Sequence, residues 1–475
     1  MYRGKFWVVW LGIVLVLPRE VPAQGPAANQ LAHEILKQLI EINTTDSVGN
    51  VTTAAEAMAV RLRDAGFADQ DVMVAGPNER KKNLVARLHG TGARKPLLFI
   101  GHLDVVEARR EDWTTDPFQF VERDGYFYGR GTQDMKEGDA ILVTNFIRLK
   151  KEGFAPDRDL ILALTADEEG GNYNGIDWLL KQHRDGIDAE YCINLDGGEF
   201  EKQKDQRLLA AIQASEKVYA DFQLESRNPG GHSSVPSADN AIYHVAGGLT
   251  RLQKYSFPTE INEITRNYFA RTAELASGQM AADLRAAAKQ PPNLAAVERL
   301  SSMPYYNALL RTTCVATLLS GGHAPNALPQ SAGANVNCRI FPGEDPEKVR
   351  QTLERIVADP QVAVTAVPQQ AADGTLVPLV TVPPSPLLPE LTLAVEKTVR
   401  AVWGNLPVVA TMSTGATDGK ITRIAGIPTY GIACLFFDRS DNRAHGKDER
   451  IGIQDFYEGV EFNYRLIREL SGGNR

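Results

Sequence analysis

Three apolar runs, each ending in a turn built of glycine and metal-binding side chains, constrain this chain more than any other feature. Residues 96–101 (PLLFIG) lead into His102-Leu103-Asp104. Residues 160–165 (LILALT) lead into Ala166-Asp167-Glu168-Glu169-Gly170-Gly171, and residues 191–195 (YCINL) into Asp196-Gly197-Gly198-Glu199. Runs of this kind, without polar alternation, suit strands buried on both faces, as in a parallel sheet between helices. Helical periodicity predicts helices over 27–42, 54–65, 138–150 and 176–182, and 83–88 reads as one more strand. Strands alternating with helices predict a mainly parallel α/β sheet. Ligands of such sheets bind beyond the carboxyl ends of the strands, which is where the histidine and the acids stand.

Near residue 217 the pattern changes. Residues 218–225 alternate as a half-exposed antiparallel strand does, 238–255 reads as a helix, and 257–303 is helix-rich and charged. Residues 315–319 and 333–340 are strand-like, and 345–358 is helical. This predicts a smaller α+β domain, 217–372, inserted between two parts of a main domain, 24–216 and 373–475. Residues 371–389 are Pro-rich and aperiodic, which places the return crossing there. A helix over 391–402, a strand over 429–432 and a closing helix over 453–470 complete the chain. At 475 residues it is too long for one ordinary core, in keeping with two domains.

Arg3 and Lys5 precede an apolar run, 6–17, and then Val21-Pro22-Ala23. This pattern predicts an export signal over residues 1–23, removed after Ala23, and hence a periplasmic or secreted protein. The run is short of the roughly 20 apolar residues that span a bilayer; an uncleaved anchor is the competing reading. After processing no stable membrane span is expected. A net charge of -8 without a long basic run argues against a nucleic-acid partner. None of the four cysteines has zinc-ligand spacing. Cys314 and Cys338 lie in two strand-like runs, either as a disulfide or as buried thiols.

In extended geometry His102 and Asp104 share a face, so Asp104 can hold the second ring nitrogen of a metal-ligating His102. Asp134, in Gly129-Arg130-Gly131-Thr132-Gln133-Asp134-Met135-Lys136, either bridges two metals with its two oxygens or caps the following helix. Acids packed as Asp167-Glu168-Glu169 repel one another unless cations compensate them. Adjacent side chains diverge, so one Glu can bind metal while the other faces an attacking water. Asp196 is a ligand candidate with Glu199 in reserve. His445, in Arg443-Ala444-His445-Gly446-Lys447-Asp448-Glu449, reads alone as an ordinary surface histidine. Two His with several carboxylates suit zinc, whereas an all-carboxylate set suits magnesium or calcium.

The ordered set GHLD, GRGTQDMK, TADEEGG, NLDGG and AHGKDE resembles that of the M20 family of metallopeptidases, which includes glutamate carboxypeptidase, carboxypeptidase S, carnosinase-like dipeptidases and aminoacylases. The resemblance covers nearly everything after the N-terminal segment. It implies two zinc ions per subunit, with cobalt or manganese as alternatives: one on His102, Asp134 and Asp196, the other on Asp134, Glu169 and His445. It also implies Asp104 as the orienter of His102, Glu168 as the general base, and a cis peptide at Asp134-Met135. His232 in GGHSSVP resembles the lid histidine that polarises the scissile carbonyl. Asn326 and Arg339 resemble the substrate-binding pair, and Gly415 and Thr417 in STGATDG the substrate-contacting loop.

The implied protein is a zinc-peptidase domain with an inserted lid, which either closes the site within one subunit or takes part in a homodimer contact. The implied substrate is a peptide or an N-acyl amino acid with a free carboxylate. Two departures stand out. Gly197 replaces the Glu usual after the third-strand Asp in the carboxypeptidase S-like branch, and 257–303 is longer than in the smallest members. The competing functions are a binding protein on the same fold and a serine hydrolase using Ser233 or Ser413. Neither serine lies in a G-x-S-x-G elbow.

Overall fold

The computed structural model describes residues 25–370 and 376–472. The export signal falls outside the described residues. The three apolar runs form adjacent strands of a ten-stranded sheet. Leu97–His102 lies between Leu160–Thr165 and Tyr191–Asn194, parallel to both, and Thr429–Gly431 adds a fourth parallel strand. All six residues of Leu97–His102 and of Leu160–Thr165 are buried, as continuous apolar strands require. Asn83–Leu88 pairs antiparallel beside them. Helices Gly25–Ile40, Lys136–Lys151 and Ile453–Leu470 contribute Leu36, Ile141, Phe146, Phe456 and Leu466 to the core on one face. On the other face Gly175–Gln182 contributes Ile176 and Leu179.

The inserted sheet has four antiparallel strands in the order Thr313–Gly321, Ser331–Ile340, Val218–Arg227, Val362–Val367. Along Val218–Arg227 burial alternates, so Val218, Ala220, Phe222 and Leu224 meet Val245, Leu252, Val349 and Leu353 of helices Ala241–Gln253 and Pro346–Val357. Cys314 and Cys338 are opposite each other on paired strands and form a disulfide. Cys192 and Cys434 are buried thiols. The chain is back against the main sheet by Ser385, whose N–H donates to the Ala214 carbonyl at 2.8 Å.

One expectation needs correcting. The reading of 217–372 as one inserted unit placed 257–303 with the small sheet. Its helices, Glu263–Leu275, Gly278–Ala287 and Leu294–Ser301, instead bury Ile264, Phe269, Leu284 and Leu300 in the main core. The first of them packs on Val408–Ser413, a strand that the sequence reading did not anticipate. An amphipathic stripe says that a helix covers something; it does not say which sheet. Among the described residues no helix is long and apolar enough to cross a membrane.

Candidate active site

The strand register sets the site. His102 is opposite Thr165, and Ile100 is opposite Asn194, so the three turns carrying His102, Asp167-Glu168-Glu169 and Asp196 emerge side by side. His102 is buried, with Nδ1 3.1 Å from the Asp104 carbonyl and Nε2 3.1 Å from Asp134 Oδ1. The Asp104 carboxylate stands further from the ring, at 3.7 Å. It accepts the backbone N–H groups of Glu168 (3.2 Å) and Glu169 (3.0 Å). Asp104 therefore orients the imidazole through its main chain and holds the acidic turn through its side chain. Burial pushes its carboxyl up to about 7.

Asp167 is buried in the left-handed region at φ 56°. It is bonded to Lys81 at 2.5 Å and accepts from the Tyr173 N–H at 3.1 Å. With Asp167 anchored, Glu168 and Glu169 diverge. Glu169 meets His445 Nε2 at 2.9 Å, and the same nitrogen is 3.0 Å from Asp134 Oδ2. The helix Lys136–Lys151 starts with Met135 at its N-cap and no side-chain cap bond. Asp134 is thus not a cap: its two oxygens face two histidines. The Asp134-Met135 peptide is cis.

Five side chains meet as two trios that share Asp134, namely His102, Asp134, Asp196 and Asp134, Glu169, His445. Within each trio the donor atoms lie within 4.8 Å of one another. Glu168 Oε2 is 4.0 Å from His102 Nε2, and its carboxylate accepts no protein hydrogen bond among the described residues. Burial and the Asp196 charge push Glu168 well above the usual carboxylate range, and burial does the same to Asp196. Burial would also raise Asp134, but the His102 and His445 rings outweigh it and hold Asp134 low. His445, bonded to Asp134 and Glu169, is pushed up to about 10. Among the described residues these four carboxylates form ion pairs with histidines alone, never with Lys or Arg. Such an excess of half-buried negative charge fits divalent cations, and the mixed imidazole and carboxylate donors fit zinc, cobalt or manganese.

Several positioning groups escaped the sequence reading. Glu449 is fully buried and receives N–H bonds from Gly131 (3.2 Å), Gln133 (2.6 Å) and Asp134 (3.1 Å), with Arg130 Nη1 at 2.5 Å. Arg130 Nη2 also donates to the Gly446 carbonyl, next to His445, so the Arg130–Glu449 pair ties the Asp134 loop to the His445 loop. Glu216 pairs with Arg423 at 3.1 Å and accepts from Thr417 Oγ1 at 3.0 Å. Asn194, two residues before Asp196, donates to the same Thr417 hydroxyl at 3.2 Å. Asp418 takes Asn174 Nδ2 at 2.6 Å. Gly198 has φ 68°, and a Cβ there would collide with the Gly431 carbonyl. Presence in a quoted motif was the one signal for Glu449; Glu216 carried none.

The expected substrate residues lie elsewhere. His232 is exposed and bonds Ser234 through Nδ1 at 2.7 Å. The antiparallel pairing of His232 with Ala327 sets it beside Asn326, whose carbonyl accepts from Ser233. Arg339 lies on the inserted sheet over the Tyr219 ring. Gly415 donates its N–H to Ser413 Oγ at 3.0 Å. Glu199 is exposed and stays outside both trios. Among the described residues His232, Asn326 and Arg339 make no hydrogen bond or ion pair with either trio.

Residues 98–469 match the model of peptidase family M20/M25/M40. The chain belongs to this family. It is an M20-type metallopeptidase or amidohydrolase. The human N-fatty-acyl-amino acid synthase/hydrolase PM20D1 is 28% identical over 94% of this chain and 89% of its own length. The "Probable carboxypeptidase S-like 2" of Dictyostelium discoideum is 26% identical over 79% of this chain and 71% of its own. In fold, the M20 family metallo-carboxypeptidase Sso-CP2 of Sulfolobus solfataricus superposes with a TM-score of 0.68 at 16% identity, covering 93% of this chain and 99% of that one. This places the α/β fold with its mainly parallel central sheet among M20 structures.

Proposed function

We propose that this M20 member hydrolyses an amide bond next to a free carboxylate, with two divalent cations, zinc first among them, and Glu168 as general base. The observation behind the reading is the convergence of His102, Asp134, Glu169, Asp196 and His445 on one small volume, with the Glu168 carboxylate unpartnered beside them. His102, Asp134 and Asp196 hold one cation, and Asp134, Glu169 and His445 the other. When bound, the pair supplies Lewis acidity toward water and the amide carbonyl. Glu168 takes the proton of the attacking water and returns it to the leaving nitrogen. His232 donates to the developing oxyanion from the lid, with Asn326 beside it. Arg339 grips the substrate carboxylate, for which its planar fork is suited. Gly415 and Thr417 line the substrate loop. Closure of the lid brings these groups to the amide and excludes water.

An N-acyl amino acid and a peptide C-terminus present the same amide and carboxylate, so a carboxypeptidase or dipeptidase and an acyl-amino-acid hydrolase fit one site. The human relative that spans 94% of the chain favours the N-acyl amino acid. The test is to strip the protein of metal, supply zinc, cobalt or manganese, and screen N-acyl amino acids against dipeptides. Turnover is expected only with metal and is abolished by a chelator. Hydrolysis that survives full metal removal would rule the reading out.

The pattern around Ala23 supports export, and sequencing of the mature N-terminus is expected to start at Gln24. The reading includes a homodimer through the lid edge. There Thr313–Gly321 exposes Val315 (60%), Leu318 (70%) and Leu319 (71%), an unusual edge for a strand facing only water. Light scattering on Leu318→Asp is expected to give a monomer where the parent chain gives a dimer; a monomeric parent would refute it.

A further inference from the structure

Alternation along Val218–Arg227 sends Val218, Ala220 and Phe222 under the helices and leaves Tyr219 and Asp221 on the opposite face of the inserted sheet. On the neighbouring strand Arg339 is the register partner of Tyr219, and Asn337 is that of Asp221. The Arg339 guanidinium lies over the Tyr219 ring, 4.8 Å from its centroid. Among the described residues it has no hydrogen-bond or ion-pair partner.

The acid beside it is occupied elsewhere. Asp221 Oδ2 accepts the Tyr219 hydroxyl at 2.6 Å, and Oδ1 accepts Asn335 Nδ2 and Asn337 Nδ2, each at 2.9 Å. Three donors thus occupy both oxygens of a carboxylate that would otherwise be the nearest partner for the arginine. The bond from the Tyr219 hydroxyl pins the phenol, and the phenol ring lies under the guanidinium. A guanidinium held over a ring by a cation–π contact keeps its N–H groups free for a planar anion.

We propose that Tyr219 is the positioning residue for carboxylate recognition. It presents Arg339 as an unpaired fork, while Asp221, Asn335 and Asn337 lock the phenol in place. The proposal rests on Arg339 as the group that binds the substrate carboxylate. It adds a specificity device that the sequence motifs do not contain, built from a cross-strand pair and a sequestered acid.

The experiment compares KM and kcat for N-dodecanoyl-leucine and N-dodecanoyl-leucinamide in the metal-loaded parent, Arg339→Ala, Tyr219→Leu and Tyr219→Phe. Arg339→Ala is expected to abolish the preference for the free carboxylate. Tyr219→Leu is expected to raise KM for the carboxylate substrate about fivefold, the scale of one lost stacked cation. Its kcat, and KM for the carboxamide, should stay unchanged, which a general folding defect would not allow. Tyr219→Phe keeps the ring and loses the anchor, so a smaller rise in the same KM is expected. If Arg339→Ala loses the preference while both Tyr219 variants keep it, the role of Tyr219 is wrong and that of Arg339 stands. If Arg339→Ala keeps the preference, both fall.

Discussion

Glu168→Ala is expected to lower kcat by about 10²–10⁴-fold, the usual contribution of a general base, and to keep two metal equivalents per chain. The geometry separates the two effects. Asp104 grips the backbone N–H groups of Glu168 and Glu169, not the Glu168 side chain, so truncation leaves the acidic turn anchored. Asp167 and Lys81 hold the same turn from its other side. The Glu168 carboxylate belongs to neither ligand trio and accepts no protein hydrogen bond among the described residues. What is lost is the unpartnered carboxylate at the edge of the site. Metal content by mass spectrometry and kcat on the same preparation give the answer. A variant with more than a tenth of the parent kcat would remove Glu168 from the mechanism, and loss of metal would make it a ligand.

Glu449→Ala is expected to cost about 3–5 kcal/mol of stability, the range for a buried charge left without its partner. Arg130 is nearly as buried as Glu449, with side chains 3% and 0% exposed, so solvent cannot replace the missing carboxylate. Three backbone N–H groups of the loop that carries Asp134 lose their acceptor at the same time. Asp134 belongs to both trios, and Arg130 also reaches the Gly446 carbonyl beside His445. Metal occupancy should therefore fall together with stability, first in the trio that contains His445. Denaturant midpoints with and without added zinc measure the first effect and metal analysis the second. Glu449→Gln keeps an acceptor oxygen and is expected to lose less. An unchanged midpoint for Glu449→Ala would show that the Asp134 loop holds itself.

The sequence and the structure agree where chemistry is local and diverge where it is not. The three apolar strands were readable because a strand buried on both faces leaves a run without alternation, and their adjacent ends carry His102, Glu168, Glu169 and Asp196. Asp134 was ambiguous from its residues alone, since any acid before a helix reads as a cap. With no side-chain cap bond on that helix, and its two oxygens facing His102 and His445, the cap reading falls away. His445 looked ordinary because its partners are Asp134 and Glu169, remote in the chain. The roles of Glu449 and Glu216 were missed for the same reason: each acts through bonds to loops far along the sequence. The role of Asp104 was half legible. Its place beside His102 follows from strand geometry, but the bonds to Glu168 and Glu169 depend on how two strand ends align. The helices within 257–303 were readable as helices, yet their burial in the main core, with Glu263–Leu275 on Val408–Ser413, is a tertiary choice with no local mark.

The most direct test of two cations sharing Asp134 is a crystal structure of the zinc-loaded protein, with anomalous scattering recorded on both sides of the zinc edge. Two peaks are predicted, one within coordination distance of His102, Asp134 and Asp196 and the other of Asp134, Glu169 and His445. A single peak, or two peaks of which either lacks Asp134, would contradict the account.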